Sequence, residues 1–321
     1  MTDSRLQVRV HQLEDRAPGA AGAVRILELR PIGDTVLPAF EAGAHIDIHA
    51  GPNTVRQYSL LNDPSETYRY VVAVALDAAS RGGSQWVHDW VEPDDTLVIS
   101  EPRCHFHLVE EAAHSVLIAG GIGITPLLAM ARRLMTLCRS FELHFGARSA
   151  TTAPLLDDIS TVMQSSGRLH TYFEDTDGRM DLKRIFAEAP AGSHFYACGP
   201  TGMLNAYLTA STDTKSDRVH YERFASTIEV SSEGGFTVEL ARRQITVEVQ
   251  SGQTILEALK QAGVNAPHSC AEGICGACET VILSGIADHR DSVLSELEKA
   301  AGKTMMICCS GAKTPKLVLD L

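Results

Sequence analysis

The 321-residue sequence lacks an excess of basic residues, any long apolar run and any repeated or low-complexity segment. Its formal net charge of -12 argues against general nucleic-acid binding, which needs a basic surface. No apolar run approaches the roughly 18 residues that a membrane-spanning helix needs. The N-terminal residues MTDSRLQVRV lack the apolar stretch of a signal peptide. We therefore expect a cytoplasmic protein that contacts neither nucleic acid nor membrane.

The composition excludes further classes of protein. With 44% hydrophobic and 21% charged residues, the chain has the make-up of a globular protein and not of a disordered or fibrous one. The cysteines are also not spread along the chain as in a disulfide-stabilised secreted protein, because five of the eight lie between Cys270 and Cys309. Such clustering in a chain without a signal peptide favours metal or redox chemistry.

Changes in the residue pattern divide the chain into segments. Length alone predicts two to three domains. The patterns predict a β-rich segment, an alternating α/β segment, a small polar linker and a cysteine-rich C-terminal segment. The predicted boundaries are 1–108, 109–226, 227–235 and 236–321.

The first segment has strand-like stretches at 45–50, 69–76 and 96–100, with one helical stretch at 84–91. Closely spaced strands with little helix indicate a barrel or a sandwich.

The second segment alternates strands and helices. An apolar strand at 116–119 runs into a glycine turn and then a helix, for which Thr125 is the expected N-cap. Further strands are predicted at 141–146, 169–173 and 194–198. This order predicts an α/β domain with a parallel sheet.

The third segment begins with two stretches, 236–240 and 245–249, that alternate like the strands of a hairpin. A helix is predicted at 255–262, with Thr254 before it and Gly263 after it.

The cysteines of the third segment have a characteristic spacing. Cys270, Cys275 and Cys278 form the pattern C-x4-C-x2-C, and Cys308 follows after 29 intervening residues. This is the plant-type spacing of a [2Fe–2S] cluster, in which thiolates bind the iron ions.

Two alternatives bear on this set of cysteines. A structural zinc site favours two short C-x2-C pairs, and only one is present. Cys309 could replace Cys308 as the fourth ligand. Gly273 and Gly276 inside the loop would let the backbone bend around the sulfides and direct N–H groups at them.

The first segment carries RQYSL at 56–60. On a strand, alternation sends Arg56 and Tyr58 to one face, where an arginine can pair with a phosphate and a tyrosine ring can pack on a flavin. Ser59 can hydrogen-bond the flavin edge. The RGGS turn at 81–84 precedes the predicted helix and could offer N–H groups to an anion.

The second segment carries GGIGITP at 120–126, where a pyrophosphate-binding turn is expected, although the third glycine of the usual dinucleotide motif is missing. Cys198-Gly199-Pro200 follows a strand, so its thiol could lie beside a nicotinamide ring or be a buried free cysteine. Arg148-Ser149 could contact the adenine-side ribose or form a solvated turn.

In this order, RQYSL, RGGS, GGIGITP, ACGP at 197–200, VHYERF at 219–224 and the cysteine set resemble the phthalate dioxygenase reductase family of flavin and iron–sulfur reductases. Vanillate demethylase reductase components are also similar. The resemblance covers essentially the whole chain. It implies an FMN-binding antiparallel β-barrel, an α/β parallel-sheet domain that binds NADH, and an α+β domain with the β-grasp fold of plant-type ferredoxins. The sequence departs from the family at Cys104, where asparagine is frequent, and at Gly311, where arginine is usual.

The resemblance also implies residue roles. Cys308 becomes the fourth iron ligand, because Cys308-Cys309-Ser310 matches the family's cysteine, small apolar residue and serine. The implied catalytic residues are Thr125, Cys198 and Phe224. The implied cofactor-binding residues are Arg56, Gln57, Tyr58, Ser59, Ala73, Val74, Gly82, Gly83, Ser84, Gly120, Gly121, Gly123, Thr125, Arg148, Ser149, Cys198, Gly199, Pro200 and Phe224. The implied iron ligands are Cys270, Cys275, Cys278 and Cys308.

The resemblance implies an electron path from NADH through FMN and a [2Fe–2S] cluster to a Rieske-type terminal oxygenase that acts on an aromatic acid or a related compound. FMN can join a two-electron donor to a one-electron acceptor, while the protein supplies distance, orientation and electrostatics. We expect a monomer that meets the oxygenase transiently. The alternatives are a reductase with FAD or with another acceptor, and a non-catalytic redox carrier or sensor.

Overall fold

The computed structural model describes residues 5–16, 23–33, 35–51, 54–77, 82–164, 168–224 and 235–321. The chain divides into two compact units, Met1–Arg223 and Phe224–Leu321. All but the last residue of the linker predicted at 227–235 lies outside the described residues. No helix in the described part of the chain is both long and apolar enough to cross a membrane.

The N-terminal part of the first unit is an antiparallel barrel. Its strands are β1 (Arg5–Arg16), β2 (Val24–Pro31), β3 (Ala44–His49), β4 (Val55–Ser59), β5 (Tyr70–Ala75), β6 (Thr96–Ser100) and β7 (Arg103–Cys104), with one helix, α1 (Gly83–Trp90). The order is β4-β3-β6-β1-β2-β5, and β7 pairs with β3. A bridge between Leu60 and Val72 joins the two ends of this order. The sheet therefore closes on itself, which confirms the implied barrel.

Alternation along the strands fills the barrel with apolar side chains. Ile46 and Ile48 of β3 and Ile99 of β6 are fully buried, and Val87 of α1 packs into the same core. The apolar pattern of the sequence predicts these inward positions, since burial of branched side chains is the main favourable term for such a sheet.

The rest of the first unit is an α/β lobe. Its elements are β8 (Ser115–Gly120), α2 (Ile124–Thr136), β9 (Phe141–Ala147), α3 (Leu156–Met163), β10 (Arg168–Phe173), α4 (Leu182–Glu188), β11 (His194–Cys198), α5 (Thr201–Ala210) and β12 (Val219–Glu222). The parallel sheet has the order β10-β9-β8-β11-β12. Because the chain order reverses between β8 and β11, a crevice for a ligand is expected at the carboxyl ends of these two strands.

Helices cover both faces of the parallel sheet. Residues of α2 and α3 pack on one face, and residues of α4 and α5 pack on the other. Val71 and Ala73 of the barrel strand β5 join the core that contains α2. The barrel and the α/β lobe are therefore held together by a shared apolar core.

The start of α2 differs from the prediction that Thr125 is its N-cap. A short 3-10 turn, Gly121–Gly123, leads directly into the helix, and Gly123 is the N-cap. Thr125 lies inside the first helical turn, where its hydroxyl donates a hydrogen bond to the carbonyl oxygen of Ile122 at 3.0 Å. The glycine turn begins the helix two residues earlier than an N-cap at Thr125 would.

The second unit combines a mixed sheet with helices. Its elements are β13 (Phe236–Leu240), β14 (Ile245–Val249), α6 (Ile255–Gln261), β15 (Glu279–Ser284), β16 (Ala287–Asp288), α7 (Glu296–Ala301), β17 (Thr304–Met306), β18 (Gly311–Ala312) and β19 (Lys316–Leu319). The larger sheet has the order β14-β13-β19-β15-β17, and β16 pairs with β18.

The predicted hairpin and helix are both present in this unit. β13 and β14 pair antiparallel, and β13 runs parallel to β19. Thr254 and Glu257 form a capping box at the start of α6, because each side chain accepts a hydrogen bond from the other residue's backbone N–H. The α6 residues Ile255 and Leu259 pack into the core of the unit. This is the β-grasp arrangement that the resemblance implies.

Candidate functional site

Two loops meet at the carboxyl ends of β8 and β11. A Cβ atom on Gly123 would lie 2.3 Å from the carbonyl oxygen of Cys198, and one on Gly120 would lie 2.8 Å from Cδ of Pro200. No larger residue fits at either position without moving a loop. Gly199 also lies close to the first loop, since its Cβ would lie 3.0 Å from the backbone of Gly120. These glycines hold the two loops against each other.

Gly121 has a different role in the same turn. Its φ of 54° lies in the left-handed region, and a Cβ there would meet no atom within 4 Å. Glycine at 121 is therefore required by backbone conformation and not by crowding. The predicted pyrophosphate turn thus has one glycine facing open space and two packed against the neighbouring loop.

A buried polar junction lies where the barrel meets the α/β lobe. Glu222 ends β12 and stands opposite Cys198 in the register of β11 and β12. Its carboxyl accepts a hydrogen bond from the hydroxyl of Ser59, the last residue of β4. Burial raises the pKa of Glu222 to about 8, although the bond from Ser59 opposes this shift. The carboxyl is therefore mostly protonated near pH 7.

Cys198 is fully buried beside Glu222. Burial, with the Glu222 carboxyl as a second cause, raises the pKa of the Cys198 thiol well above its usual value. Cys198 is therefore a neutral thiol and not a thiolate nucleophile. One oxygen of Glu222, Oε2, is buried without a hydrogen-bond partner among the described residues. Such an atom indicates that a polar ligand group completes the junction.

Sequence reasoning selected Cys198 and Ser59 but missed Glu222. The available signal was position: an acidic residue at the carboxyl end of a parallel strand lies at the ligand edge of the sheet. From the segment VHYERF, the family resemblance drew attention to Phe224 instead. Phe224 is 42% exposed and is the first residue of the second unit. Its place beside a flavin stays a prediction.

The predicted phosphate site brings Arg56 and the start of α1 together. A Cβ atom on Gly83 would lie 2.4 Å from Cγ of Arg56, so the arginine side chain crosses directly over the first residue of the helix. Gly82, the N-cap, has a φ of 93°. Ser84 accepts a hydrogen bond from the backbone of Asp77. A cation beside helix N–H groups suits a phosphate; Arg81 lies outside the described residues.

The other predicted flavin residues lie around this strand. Arg56 and Tyr58 stand opposite Ile48 and Ile46 and so share one face, as alternation predicts. Burial raises the pKa of Tyr58 to about 12. Gln57 points to the other face, where its amide donates to Oδ1 of Asp47 at 2.9 Å.

Ala73 and Val74 of β5 are both buried but point in opposite directions. Ala73 packs in the core shared with α2, and Val74 packs inside the barrel. The carbonyl oxygen of Val74 lies 2.9 Å from Nε2 of His88 on α1.

Arg148 and Ser149 follow β9 at the same edge of the sheet as Cys198. Arg148 is exposed. The Ser149 hydroxyl accepts a hydrogen bond from the backbone of Thr152 at 3.3 Å and caps a short 3-10 turn. The structure thus gives Ser149 a local role and leaves the guanidinium of Arg148 in solvent.

In the second unit, the loop between α6 and β15 wraps around sulfur atoms. The backbone N–H of Glu272 donates to Sγ of Cys270 at 3.2 Å, and that of Cys270 donates to Sγ of Cys275 at 3.5 Å. Gly273 and Gly276 both have a φ of 71°, which agrees with their predicted role in bending the loop. Ala271 adopts a left-handed φ of 56° as well, which the sequence did not predict.

Cys308 lies at the centre of the thiol group. The thiols of Cys270, Cys278 and Cys309 hydrogen-bond to it and lower its pKa, and the backbone N–H of Gly273 points at it as well. Sγ of Cys309 contacts the carbonyl oxygen of Met306 at 3.8 Å. Cys308 is therefore the residue that faces the loop cysteines.

The donor set fits an iron–sulfur cluster. Cys275, Cys278 and Cys308 are buried and Cys270 is half-buried. The contacts link Cys270 to both Cys275 and Cys308, and Cys278 to Cys308. Four neighbouring thiols are the ligands of a [2Fe–2S] cluster, and backbone N–H groups directed at sulfur are the second shell such a cluster needs.

Comparison with known proteins identifies the families of two domains of this chain. The family model for an oxidoreductase NAD-binding domain matches residues 117–209, and the model for a 2Fe-2S iron-sulfur cluster binding domain matches residues 238–313. The chain is 46% identical to phenoxybenzoate dioxygenase subunit beta of Ectopseudomonas oleovorans, over 98% of this chain and 97% of that protein. It is 44% identical to tetrachlorobenzoquinone reductase of Sphingobium chlorophenolicum, over 92% of each.

Two solved structures are similar over 99% of this chain. Phthalate dioxygenase reductase, described as a modular structure for electron transfer from pyridine nucleotides to [2Fe-2S], has a TM-score of 0.71 and 36% identity, with 98% of its own chain covered. An intact type IV self-sufficient cytochrome P450 monooxygenase has a TM-score of 0.90 and 42% identity. The present chain spans 41% of that P450 chain.

The barrel, the parallel-sheet lobe and the thiol-bearing unit together define a modular oxidoreductase with an NAD-binding domain and a 2Fe-2S ferredoxin domain. The chain belongs to the phthalate dioxygenase reductase family.

Proposed function

We propose that this protein is the reductase component of a multicomponent oxygenase system. It transfers electrons from NADH through FMN and a [2Fe–2S] cluster to a Rieske-type terminal oxygenase that acts on an aromatic acid or a related compound. The observation that carries the proposal is the convergence of four cysteines in a chain that also has a nucleotide-type parallel sheet. A relative named as a dioxygenase subunit supports the choice of an oxygenase as acceptor.

The proposal assigns one carrier to each domain. Residues 1–108 bind FMN, residues 109–226 bind NADH, residues 227–235 link the domains, and residues 236–321 hold the cluster. The protein is a cytoplasmic monomer, and it meets its oxygenase in a transient complex, as is usual for electron-transfer partners.

The flavin supplies the conversion between two-electron and one-electron chemistry. Arg56 and the first N–H groups of α1 hold its phosphate, with Gly82, Gly83 and Ser84 forming the turn. The strands β4 and β5 line its ring site, through the side chains of Tyr58 and Ser59 and through the backbone at Gln57, Ala73 and Val74, and Phe224 covers it.

The α/β lobe positions the nicotinamide. Cys198 and Glu222 present a buried thiol and a protonated carboxyl, both neutral near pH 7. Because both groups are buried and neutral, they exclude water and stabilise no full charge. They therefore favour close approach of the nicotinamide and flavin rings over a competing reaction with solvent. Thr125 approaches from the first turn of α2. The loops with Gly120, Gly121, Gly123, Gly199 and Pro200 hold the pyrophosphate, and Arg148 and Ser149 lie towards the adenine-side ribose.

The iron site uses Cys270, Cys275, Cys278 and Cys308. Backbone N–H groups of the loop stabilise thiolate charge at these sulfurs, which favours their deprotonated form once iron is bound.

The test begins with anaerobic addition of NADH to the purified holoprotein. We expect the absorbance of the flavin and of the cluster to bleach, and NADH to act faster than NADPH. If neither chromophore bleaches, the enzyme assignment fails and a redox carrier or sensor is favoured. The flavin released by denaturation should have the mass of FMN; the mass of FAD would overturn that assignment.

The acceptor is tested separately. A purified Rieske-type terminal oxygenase, added to the NADH-reduced protein, should show reduction of its Rieske centre. A second candidate acceptor is a quinone, because one relative is named as a tetrachlorobenzoquinone reductase. Rapid NADH-dependent reduction of a chlorinated benzoquinone by a variant that lacks the cluster, together with no reduction of the oxygenase, would favour that function.

A further inference from the structure

A cavity of about 420 Å³ lies between the barrel and the α/β lobe, in a region that the proposed electron path does not use. It is open to solvent, and its volume falls within the range of about 300–1,000 Å³ that small-molecule sites have. One lining residue comes from the segment between β4 and β5, and the others come from α2 and α3. They are Asp63, Arg132, Met135, Thr136, Thr161 and Val162.

Arg132 supplies a positive charge to this lining. Its Nε is buried and has no hydrogen-bond partner among the described residues. Burial lowers the pKa of Arg132, although the charges of Asp158, Glu66 and Asp63 oppose this shift. Because an arginine stays protonated at physiological pH, the charge persists in surroundings that do not fully compensate it.

Other arginines of this region are ion-paired. Arg133, the next residue of α2, contacts both carboxylate oxygens of Glu110, through Nε at 2.6 Å and Nη2 at 3.0 Å. Arg69 pairs with Glu66 and with Glu28, each at 2.7 Å. Arg132 makes no such pair within the described part of the chain and lines a cavity instead. Its planar guanidinium therefore suits a carboxylate that enters from solvent.

Asp63 limits which anion the cavity can take. Its Oδ1 accepts hydrogen bonds from the backbone N–H and the hydroxyl of Ser65, and its Oδ2 accepts one from Thr136 at 2.9 Å. Burial raises the pKa of Asp63, but these hydrogen bonds outweigh burial and lower it, so the group is ionised near pH 7. Each carboxylate oxygen can accept about two hydrogen bonds, and Oδ2 can therefore accept one more. Its charge repels a compact anion such as phosphate and favours a ligand that also carries a hydroxyl group.

Met135 and Val162 form the apolar part of the lining. Val162 is buried in the core that contains α2, and Met135 packs against the same core. A flexible thioether beside a branched side chain suits the flat face of an aromatic ring.

We propose that this cavity binds a hydroxylated aromatic carboxylate. The carboxylate pairs with Arg132, the hydroxyl group donates to Asp63, and the ring packs against Met135 and Val162. An oxygenase that hydroxylates an aromatic acid forms compounds of this class, so the link to metabolism rests on the proposed function. The binding itself requires neither NADH nor an oxygenase.

The test is calorimetric titration of the oxidised holoprotein, without NADH, with 3-hydroxybenzoate, 4-hydroxybenzoate, benzoate and inorganic phosphate. At least one hydroxybenzoate should bind at one site per chain, about tenfold or more tightly than benzoate, because a hydrogen bond to a charged acceptor contributes that much. Phosphate should not compete. No binding of either hydroxybenzoate at millimolar concentration, in a protein whose flavin NADH still reduces, would overturn this proposal alone. Hydroxybenzoate binding without flavin reduction would overturn only the proposed function.

Two variants locate the ligand. Arg132→Gln should weaken hydroxybenzoate binding by about tenfold or more, because the paired charge is lost. Arg139→Gln is the matched control, since it removes the same charge from an exposed arginine just after α2, and it should leave the affinity unchanged. Flavin reduction by NADH should persist in both variants. If Arg139→Gln weakens binding as much as Arg132→Gln, or if Arg132→Gln has no effect, the proposal is wrong.

Asp63→Asn tests the contact with the hydroxyl group. The amide oxygen can still accept from Ser65 or Thr136, so the variant should fold, but the negative charge is removed. Benzoate should then bind more tightly, and the ratio of the hydroxybenzoate and benzoate affinities should fall several-fold. An unchanged ratio would contradict the assigned role of Asp63.

Discussion

At the scale of single residues, Glu222 is the residue of the junction whose surroundings are least usual for its type. It is a carboxyl group held between a hydroxyl of the barrel and a thiol of the α/β lobe. Its burial is tolerated because it binds a proton, which removes the cost of a buried charge. Its protonation state therefore links pH to the stability of the junction.

The pH dependence has a definite sign. The Glu222 carboxyl has a pKa of about 8 in the folded protein, against an ordinary value of 4.5. Between these values the folded state binds more protons than the unfolded state. Its contribution to stability is therefore full below about pH 4.5 and is lost as the pH rises towards about 8.

Glu222→Gln should remove this dependence. We expect the melting temperature of the wild type to fall more than that of the variant between about pH 6 and about pH 8, as measured by circular dichroism. Glu188→Gln, a change at a glutamate whose side chain is 64% exposed, should behave like the wild type. Equal falls in wild type and Glu222→Gln would show that this carboxyl is not protonated in the fold.

The adjacent cysteines give a second prediction at this scale. Cys308→Ser should lose the visible absorbance and iron of the cluster, because Cys308 faces Cys270 and Cys278. Cys309→Ser should keep both, since its thiol contacts Met306 and Ser310. Full cluster absorbance in Cys308→Ser would assign the fourth ligand to Cys309 instead.

At the scale of elements, the parallel sheet depends on two loops that touch through glycine. The loops after β8 and β11 come close enough that the Gly123 position has no room for a methyl group. The strand order places both loops at the point where the sheet reverses, which is where a dinucleotide lies in such folds. Packing between the loops therefore sets the geometry of the cofactor site.

Gly123→Ala tests that dependence. The added methyl group would separate the loops, so we expect about tenfold or more increase in KM for NADH and a loss of about 1–3 kcal/mol in stability. Steady-state kinetics with ferricyanide as acceptor and chemical unfolding measure the two effects.

Gly202→Ala is the control for that experiment. Gly202 lies in α5, and a Cβ there meets no atom within 4 Å. Alanine should leave KM unchanged and raise stability by up to about 1 kcal/mol. A normal KM in Gly123→Ala would mean that the loops do not need to touch for NADH to bind.

At the scale of the whole molecule, the charge is strongly acidic. A formal net charge of -12 produces a field that attracts a basic partner surface and is screened by salt over about 8–10 Å. Electrostatic steering acts on the rate of encounter between proteins more than on chemistry inside one protein.

Salt should therefore act on one half-reaction. We expect the rate of oxygenase reduction to fall several-fold between low and physiological ionic strength, while flavin reduction by NADH changes little. Stopped-flow measurements of both steps on the same preparation would test this. Equal salt dependence of the two steps, or none in the first, would exclude steering by the acidic surface.

The sequence predicted the local features of this protein well. The strands at 96–100, 194–198, 236–240 and 245–249 coincide with observed strands. Apolar alternation and β-branched content are carried by neighbouring residues, so they can be read without knowing the fold. The cysteine spacing belongs to the same kind of information, because three of the four thiols lie within one short loop and Gly273 and Gly276 shape its turns.

The sequence was less informative where local signals compete. Thr125 has the residue type of an N-cap, yet the preceding glycines begin the helix first. Arg148 and Ser149 follow a strand at the ligand edge, but Ser149 caps its own turn. A residue type alone does not decide between two roles that both fit its neighbours.

By itself, the sequence determined the order of the NAD-binding and 2Fe-2S domains, the spacing of the cysteines proposed as iron ligands and the family to which the chain belongs. Only the tertiary structure decided the partnership of Glu222 with Ser59 and the contact of Gly123 with Cys198. Each of these contacts joins residues from different strands or loops. These contacts form because whole strands and helices pack together. A local pattern of residues does not show which distant side chain will lie opposite a given residue.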